Sequence, residues 1–355
     1  MAEKGKEVAQ VVDRTPRTAP PIEIPNREKV RITVIDYDEA HLEERQVEEV
    51  EECFPFKDKP TISWINIDGV YDMGVVEKIG KHFDLHPFVL EAVVDTQQRP
   101  KREDFEHYMY ITLKMLYYPP QSDEMVTEQV SIILASNYVI SFQERPGDVF
   151  DGVRERIRLQ KGRGRIRKMG SDYLAYALID AIVHNYFVVL ERLGESLEPL
   201  EEKVVEDPQI EVIRSIQELK RKMVFLRSSV WPLREAISAL QRTESALIKK
   251  PTMLYLRDVY DDTTQVIDSI EAMRYLIAGT LEVYVSSISN KLNEVVKILT
   301  SVTIIVMLPT LIASIYGMNV PLPFQHSPHA FAITMLASFA LAIFAVVILR
   351  KRRWL

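Results

Sequence analysis

The sequence predicts an α+β membrane protein, with an N-terminal α/β domain, a long helical stalk and two transmembrane helices near its C-terminal end. Strand-like segments occur only before about residue 145, and a proline-free stretch follows Pro251 and ends at Pro309. Two runs without charged residues, 298–315 and 330–349, lie near the C-terminal end. As helices they would rise about 27 and 30 Å, close to the roughly 30 Å hydrocarbon core of a bilayer. We therefore expect both to cross a membrane.

The N-terminal part combines a polar tail with an α/β domain. Residues 1–28 mix charges with four prolines and lack a periodic apolar face, which predicts a flexible tail. Residues 29–147 alternate between segments rich in β-branched or aromatic residues and helical segments. The predicted strands are 31–35, 61–67, 107–117, 127–134 and 137–143, and the predicted helices are 75–83 and 87–94. This order predicts an α/β domain whose last three strands form an antiparallel meander.

The middle of the chain is predicted to be helical. Residues 148–251 fit long antiparallel helices with dense acidic and basic segments, broken near 162–170 and at Asp207-Pro208. Pro232 is expected to kink a helix rather than end it. Residues 252–316 fit one stalk helix that continues into the first span, 298–316. At about 65 residues it would reach about 97 Å, so it needs partners, and a bundle of identical stalks is the simplest arrangement.

Charge divides the chain sharply. No acidic residue follows Glu294, and the part up to Glu294 carries a net charge of -12, from 39 of the 44 basic residues and all 51 acidic ones. An acidic surface attracts cations and repels phosphate backbones, which argues against nucleic acid as a partner. Cys53 is the single cysteine, so an intrachain disulfide is excluded, and this fits a reducing compartment.

Basic residues predict the topology of the spans. Lys291 and Lys297 precede the first span, and the tail 350–355 after the second span is basic. Because basic flanks favour the cytoplasmic side, we expect both termini inside and the loop 317–329 outside. Residues 1–30 contain no apolar leader, so the large N-terminal part is expected to stay cytoplasmic.

The first span carries its polar residues on one face. At about 100° per residue, positions 293, 296, 300, 303, 307, 310 and 314 fall within roughly 90°. They are Asn293, Val296, Thr300, Thr303, Met307, Thr310 and Ser314, and we call them the polar stripe. The stripe fits a pore lined by several copies of the span. Alternatively, its hydroxyl groups bond to their own helix or hold helices together, which is common in membranes.

The segment Tyr316-Gly317-Met318-Asn319 directly follows the first of the two spans and precedes a short outer loop. In this position the Gly-Met-Asn motif closely resembles that of the CorA family of magnesium channels, within the 2-TM-GxN superfamily. Further segments that resemble the family are 98–101, 147–150, 153–158, 231–235 and 257–261. The resemblance implies a homopentameric funnel in the cytoplasmic membrane that mediates passive Mg²⁺ influx. We find no phosphate loop, nucleophile elbow or zinc-protease motif, so no enzymatic activity is predicted.

The resemblance also implies roles for residues along the pore. Gly317, Met318 and Asn319 would form the outer mouth, where amide oxygens can bind Mg²⁺ through its water shell. Leu299 and Met307 would form narrow apolar collars that gate by dewetting. The full implied pore wall is Asn293, Val296, Leu299, Thr303, Met307 and Thr310, with Glu282 further down the stalk, and the implied cytoplasmic basic collar is Arg350, Lys351, Arg352 and Arg353.

In the family, regulatory Mg²⁺ binds between subunits in the cytoplasm and holds the closed state. Matching motifs assigns this role to Glu91 and Asp258, with a contribution from Asp180. The chain departs from the family at Ala92, where a second acid often follows the first. Asp95, one helical turn from Glu91, is a candidate replacement. Exposed acids are also ordinary surface charges, so this assignment is a hypothesis.

A second departure lies in the outer loop, which has no carboxylate but contains His326 and His329. Two histidines suit softer ions such as Co²⁺, Ni²⁺ or Zn²⁺, although a firm site needs more ligands. Two alternatives to a magnesium channel therefore stay open. One is a zinc, cobalt or nickel transporter of the same superfamily, and the other is a membrane-anchored scaffold or signalling protein.

Overall fold

A computed structural model describes residues 29–120, 122–159, 164–242, 245–319, 322–323, 328–352 and 354. The predicted tail, 1–28, lies outside these residues. The chain divides into two compact units, one formed by Met1–Leu193 with Lys222–Ala272 and the other by Gly194–Arg221 with Met273–Leu355.

A seven-stranded sheet organises the first unit. Its strands are β1 (Arg31–Tyr37), β2 (Leu42–Val47), β3 (Ile62–Asp68), β4 (Lys101–Asp104), β5 (Tyr108–Tyr117), β6 (Val126–Ala135) and β7 (Tyr138–Gln143), in the order β2-β1-β3-β7-β6-β5-β4. Only β3 and β7 pair in parallel, in the register Ile65 to Ile140. The predicted antiparallel meander of β5, β6 and β7 is confirmed.

Neither edge strand of this sheet, β2 or β4, was predicted from the sequence. β2 reads Leu-Glu-Glu-Arg-Gln-Val and β4 reads Lys-Arg-Glu-Asp. Edge strands commonly carry charged side chains that discourage pairing with other chains, so they lack the apolar alternation by which strands are recognised. A 3-10 helix, Val50–Lys57, was also not predicted.

Two short helices, α1 (Met73–His82) and α2 (Pro87–Val94), cover the hydrophobic core on one side of the sheet. The Asp72 side chain caps α1 by accepting hydrogen bonds from the backbone nitrogens of Gly74 and Val75. Pro87 stands in the first turn of α2, where its missing N–H costs no helix hydrogen bond. The core includes Val76 and Ile79 of α1, Val89 and Ala92 of α2, and Ile65 and Ile67 of β3.

The remaining helices are α3 (Asp151–Leu159), α4 (Arg165–Lys168), α5 (Ser171–Glu206), α6 (Ile210–Gln241), α7 (Lys250–Tyr316) and α8 (Ala330–Lys351). The break predicted at Asp207-Pro208 is confirmed, since it separates α5 from α6. α6 continues through Pro232, as predicted. α7 is one helix of 67 residues, and its start at Lys250 agrees with the prediction to within two residues.

Three of the described helices, α5, α7 and α8, are long and apolar enough to cross a membrane. The most apolar window of α5 is 67% buried within the protein, whereas those of α7 and α8 are 6% and 11% buried. Burial accounts for the apolar composition of α5, which makes it a core helix. The apolar surfaces of α7 and α8 are left exposed, as membrane spans require.

Candidate functional site

Six of the seven residues of the polar stripe are exposed on α7, and Thr300 is half-buried. The residues implied to form the pore wall are all exposed in the single chain, namely Asn293, Val296, Leu299, Thr303, Met307 and Thr310. Leu299 and Met307 expose 65% and 61% of their surface. Glu282 is also exposed. This face is therefore available either to lipid or to other copies of the chain.

A covered face of α7 lies on the other side of the helix. Ser301 is fully buried, and its neighbours on this face are less exposed than the stripe. These half-buried neighbours are Ile304, Ile305, Leu308, Pro309 and Ile312. At about 100° per residue their centre lies roughly opposite the polar stripe.

The second span has a single covered stripe as well. Its least exposed residues recur at helical spacing, and they are Ala330, Thr334, Ser338, Ala342, Ala345, Val346 and Leu349. Just beyond α8, the carbonyl oxygen of Trp354 lies 3.5 Å from the Ser301 hydroxyl of α7. The contact with the C-terminal end of the chain is therefore made by the covered face of α7, away from the polar stripe.

Two hydroxyls of the stripe bond to their own helix. Thr303 donates to the Leu299 carbonyl and Thr310 donates to the Val306 carbonyl, both at 2.8 Å. This is the arrangement expected if these residues merely satisfy the backbone. A hydroxyl that donates its hydrogen nevertheless keeps lone pairs that can accept. Both oxygens can therefore still face a hydrated cation.

The Gly-Met-Asn segment begins where α7 ends. The Gly317 nitrogen donates to the Ala313 carbonyl at 2.9 Å, and the Met318 nitrogen donates to the Ile315 carbonyl at 3.2 Å. Gly317 does not adopt a positive φ, so the left-handed helix cap that its position suggests is absent. A Cβ at Gly317 would lie 3.3 Å from the Ala313 carbonyl oxygen, which favours glycine through close approach instead. Met318 and Asn319 are exposed.

The histidines and the basic tail are only partly described. His326 and Arg353 lie outside the described residues, whereas His329 directly precedes α8. Arg350 and Lys351 form the last turn of α8, and together with Arg352 they are exposed. Three members of the predicted basic collar thus present their charge at one end of the second span.

Glu91 and Asp95 line a shallow depression on the first unit, together with Phe88, Lys101 and Glu103. The Lys101 ammonium lies 2.9 Å from the Glu103 carboxylate. Asp258 is not among the residues that line this depression.

Neighbouring groups bind the Asp95 carboxylate, and position 92, which lacks the acid common in the family, is buried. The Asp95 carboxylate accepts hydrogen bonds from the Gln97 nitrogen at 3.1 Å and from Gln98 Nε2 at 2.5 Å. Ala92 is 5% exposed and belongs to the hydrophobic core, so a carboxylate there would lose much of its hydration.

The other two predicted acids, Asp180 and Asp258, belong to a second acidic group. Burial raises the pKa of Asp180, the charges of Arg156 and His184 lower it, and the carboxylates of Asp262 and Asp258 raise it further. Burial and the Asp258 carboxylate also raise the pKa of Asp262. The fold therefore brings Asp180, Asp258 and Asp262 near enough for their charges to interact. The spacing of four residues between Asp258 and Asp262 on one helix was the signal that sequence reasoning overlooked.

One further acidic cluster is already neutralised. Among the described residues, Asp36, His41 and Glu43 are the only group of three or more such side chains whose ligand atoms lie within 4.8 Å of one another. The Lys59 ammonium lies 3.3 Å from Asp36 and 3.5 Å from Glu43. The hydroxyls of Thr61 and Ser63 also donate to Asp36 at 2.7 Å. These groups satisfy the cluster without a metal ion.

Comparison with known proteins covers nearly the whole chain. The family described as CorA-like Mg²⁺ transporter protein matches residues 60–351. The cobalt/magnesium transport protein CorA of Thermotoga maritima is 45% identical over 334 residues, which are 93% of each chain. The protein of the same name from Methanocaldococcus jannaschii is 26% identical and covers 78% of this chain and 87% of its own length.

Solved structures agree on the fold. The complete structure of the CorA magnesium transporter from Methanocaldococcus jannaschii matches with a TM-score of 0.75 at 24% identity, over 91% of this chain and 98% of that one. Full-length CmaX matches with a TM-score of 0.69 at 19% identity, over 93% and 100%. At these identities the two structures show that the fold is shared.

Proposed function

The chain belongs to the family of CorA-like Mg²⁺ transporter proteins, and from that premise we propose that it is a passive channel for Mg²⁺ influx, assembled as a homopentamer in the cytoplasmic membrane. The observation that carries this proposal is the position of the polar stripe, six of whose seven residues are exposed, on the side of α7 away from the covered face. Polar groups are costly in lipid, and copies arranged around one axis can turn them inward. The assembly proposed is therefore a ring of α7 helices, with α8 outside.

Ion passage through such a ring needs no energy source beyond the membrane potential. Moving one elementary charge down a potential of 100 mV releases about 2.3 kcal/mol of free energy, and moving a divalent ion releases about twice that amount. At the outer mouth, Asn319 offers an amide oxygen that can accept hydrogen bonds from the water shell of Mg²⁺, which dehydrates reluctantly. Deeper in the pore, the hydroxyl oxygens of Thr310 and Thr303 can do the same. Met307 and Leu299 supply apolar collars that close the path when they dewet.

We place the regulatory Mg²⁺ site between subunits, with Glu91 and Asp95 on one side and Asp258 and Asp180 on the other. Oxygen ligands suit Mg²⁺, and the crowded carboxylates around Asp258 leave negative charge that a cation would stabilise. A bound ion would supply the positive charge that holds neighbouring subunits together. Loss of the ion would loosen the ring and open the channel.

The basic residues at the end of α8 support a topology with both termini in the cytoplasm. A collar of Arg350, Lys351 and Arg352 at the cytoplasmic entrance would repel cations until acidic groups screen it, so the collar would form part of the gate.

Co²⁺ is the second ion to consider, since the Thermotoga maritima relative is named for cobalt as well as magnesium. Hydrated Co²⁺ can also be recognised through its water shell, so the mouth formed by Asn319 does not by itself separate the two ions. Imidazole ligands such as His329 would favour Co²⁺, Ni²⁺ or Zn²⁺ over Mg²⁺.

The deciding experiment is uptake by proteoliposomes that contain the full chain, with Mg²⁺, Co²⁺, Ni²⁺ and Zn²⁺ compared at a fixed membrane potential. We expect Mg²⁺ uptake that follows the potential and does not change when a pH gradient is added. Asn319→Ala is expected to abolish most of this uptake, whereas His329→Ala leaves Mg²⁺ uptake unchanged. Proton-dependent Zn²⁺ uptake would favour the zinc transporter, and a folded protein without divalent flux would favour the scaffold.

A further inference from the structure

Gln129 of β6 lies against the C-terminal end of α2, where the helix leads into residues 95–98. Its side chain is 2% exposed, so it cannot itself contact a cation in solvent. We propose that Gln129 is a positioning residue that orients Glu91 and Asp95 and thereby determines how tightly the regulatory cation binds. This inference rests on the regulatory site proposed above.

The Gln129 amide uses both its donor and its acceptor at this junction. Nε2 donates to the Ala92 carbonyl at 2.9 Å and to the Asp95 carbonyl at 3.1 Å, and Oε1 accepts from the Gln98 nitrogen at 3.1 Å. The last carbonyls of a helix have no partner within the helix. Gln129 therefore caps α2 and holds the following loop with one side chain, because an amide carries both donors and an acceptor.

A second residue on the same face of the sheet supports the loop. Lys114 stands opposite Gln129 in the register of β5 and β6, and its ammonium donates to the Thr96 carbonyl at 2.5 Å. It also lies 3.5 Å from the Gln129 oxygen. Two buried or half-buried side chains thus fix three carbonyls and one N–H of the segment 92–98.

This support determines where the two acids point. The Asp95 nitrogen donates to the Glu91 carbonyl at 2.9 Å, so Asp95 caps the last turn of α2 and Glu91 lies within that turn. The Asp95 carboxylate also closes the loop from its outer side, through Gln97 and Gln98. If Gln129 loses its hydrogen bonds, the end of α2 can fray and the separation of the two carboxylates is no longer fixed. Groups that orient metal ligands in this indirect way typically change metal affinity about 10- to 100-fold.

The test measures the Mg²⁺ concentration that half-protects the full-length protein from limited proteolysis. Gln129→Met keeps the length of the side chain and removes its hydrogen bonds, and we expect it to raise the half-protecting concentration about tenfold. Protection at saturating Mg²⁺ should be unchanged. The matched control is Ser131→Ala in the same strand as Gln129, which removes the contact with the Tyr110 hydroxyl of β5 and none of the hydrogen bonds to residues 92–98. It should leave the half-protecting concentration unchanged.

The outcomes separate this inference from the proposed function. If Asp258→Ala raises the half-protecting concentration but Gln129→Met does not, Gln129 has no positioning role. If neither variant shifts it, the regulatory site itself is wrong and the inference falls with it. A merely structural role would lower the melting temperature without Mg²⁺ and leave the half-protecting concentration in place. If Gln129→Met does not fold, Lys114→Met provides the same test from the neighbouring strand, and an unchanged concentration there overturns the proposal.

Discussion

The Asp172 carboxylate accepts a hydrogen bond from the Thr252 hydroxyl at 2.6 Å, across 80 positions of sequence. The same oxygen accepts from the Lys249 nitrogen at 2.9 Å. Because α7 begins at Lys250, Asp172 serves as the N-terminal cap of that helix although it belongs to α5. The first turn of the stalk is therefore anchored to the start of another helix.

We expect Asp172→Ala to lower the free energy of unfolding by about 1–3 kcal/mol, because it leaves a part-buried N–H and a buried hydroxyl without their acceptor. Thermal unfolding of the full chain, followed by fluorescence, measures the loss. Asp268→Ala, at an exposed position of α7, is the matched control. Equal melting temperatures for the two variants would show that the cap does not contribute.

Glu128 predicts a dependence of stability on pH. Burial raises the pKa of its carboxyl from 4.5 to about 8, and the nearby Glu144 carboxylate adds to this, although the backbone N–H groups of Arg145 and Glu144 lower it. Between those two values the folded protein keeps a proton that the unfolded chain releases. Stability from this group is therefore fully present below about pH 4.5 and falls as the pH rises to about 8.

Glu128→Gln should remove this component, because the amide has no proton to lose in that range. We expect the melting temperature of the variant to fall less between pH 5 and about pH 8 than that of the unmodified protein. Melting curves of both proteins, measured over this pH range, test the prediction. Parallel curves for the two proteins would mean that Glu128 titrates normally in the folded state.

The apolar collar can be tested at Leu299. Leu299→Ser should make this level of the proposed pore easier to wet, and we expect Mg²⁺ uptake at high internal Mg²⁺ to rise several-fold, about 1 kcal/mol of gating energy. Ile298→Ser is the control, because Ile298 is also exposed but does not belong to the implied pore wall. A rise of equal size in both variants would contradict a gate at Leu299.

Asp258 tests the proposed regulation. Asp258→Ala should weaken the inhibition of uptake by internal Mg²⁺, because it removes a proposed oxygen ligand that is exposed and whose charge interacts with those of Asp180 and Asp262. Mg²⁺ uptake is measured over a series of internal Mg²⁺ concentrations. Asp261→Ala, at an exposed position three residues further along α7, should leave the inhibition curve unchanged. Unaltered inhibition in Asp258→Ala would exclude this residue from the site.

Sequence reasoning was most successful where the signal is local. β5, β6 and β7 carry their own apolar pattern, and α7 has the continuous helical composition that was predicted. It failed at the polar strands β2 and β4. These segments form strands because they pair with neighbouring strands, and they have no apolar pattern of their own.

By itself, the sequence determined the two apolar spans, the polar stripe between Asn293 and Ser314, and the division into an acidic part and an acid-free part. These are periodic or compositional properties, so nearby residues suffice to define them. Only the tertiary structure decided that the covered face of α7 lies away from the stripe, that Asp262 joins Asp180 and Asp258, and that Gln129 caps α2 from 37 positions away. Such contacts join residues far apart in the chain, and burial and hydrogen-bond partners exist only once the chain has folded.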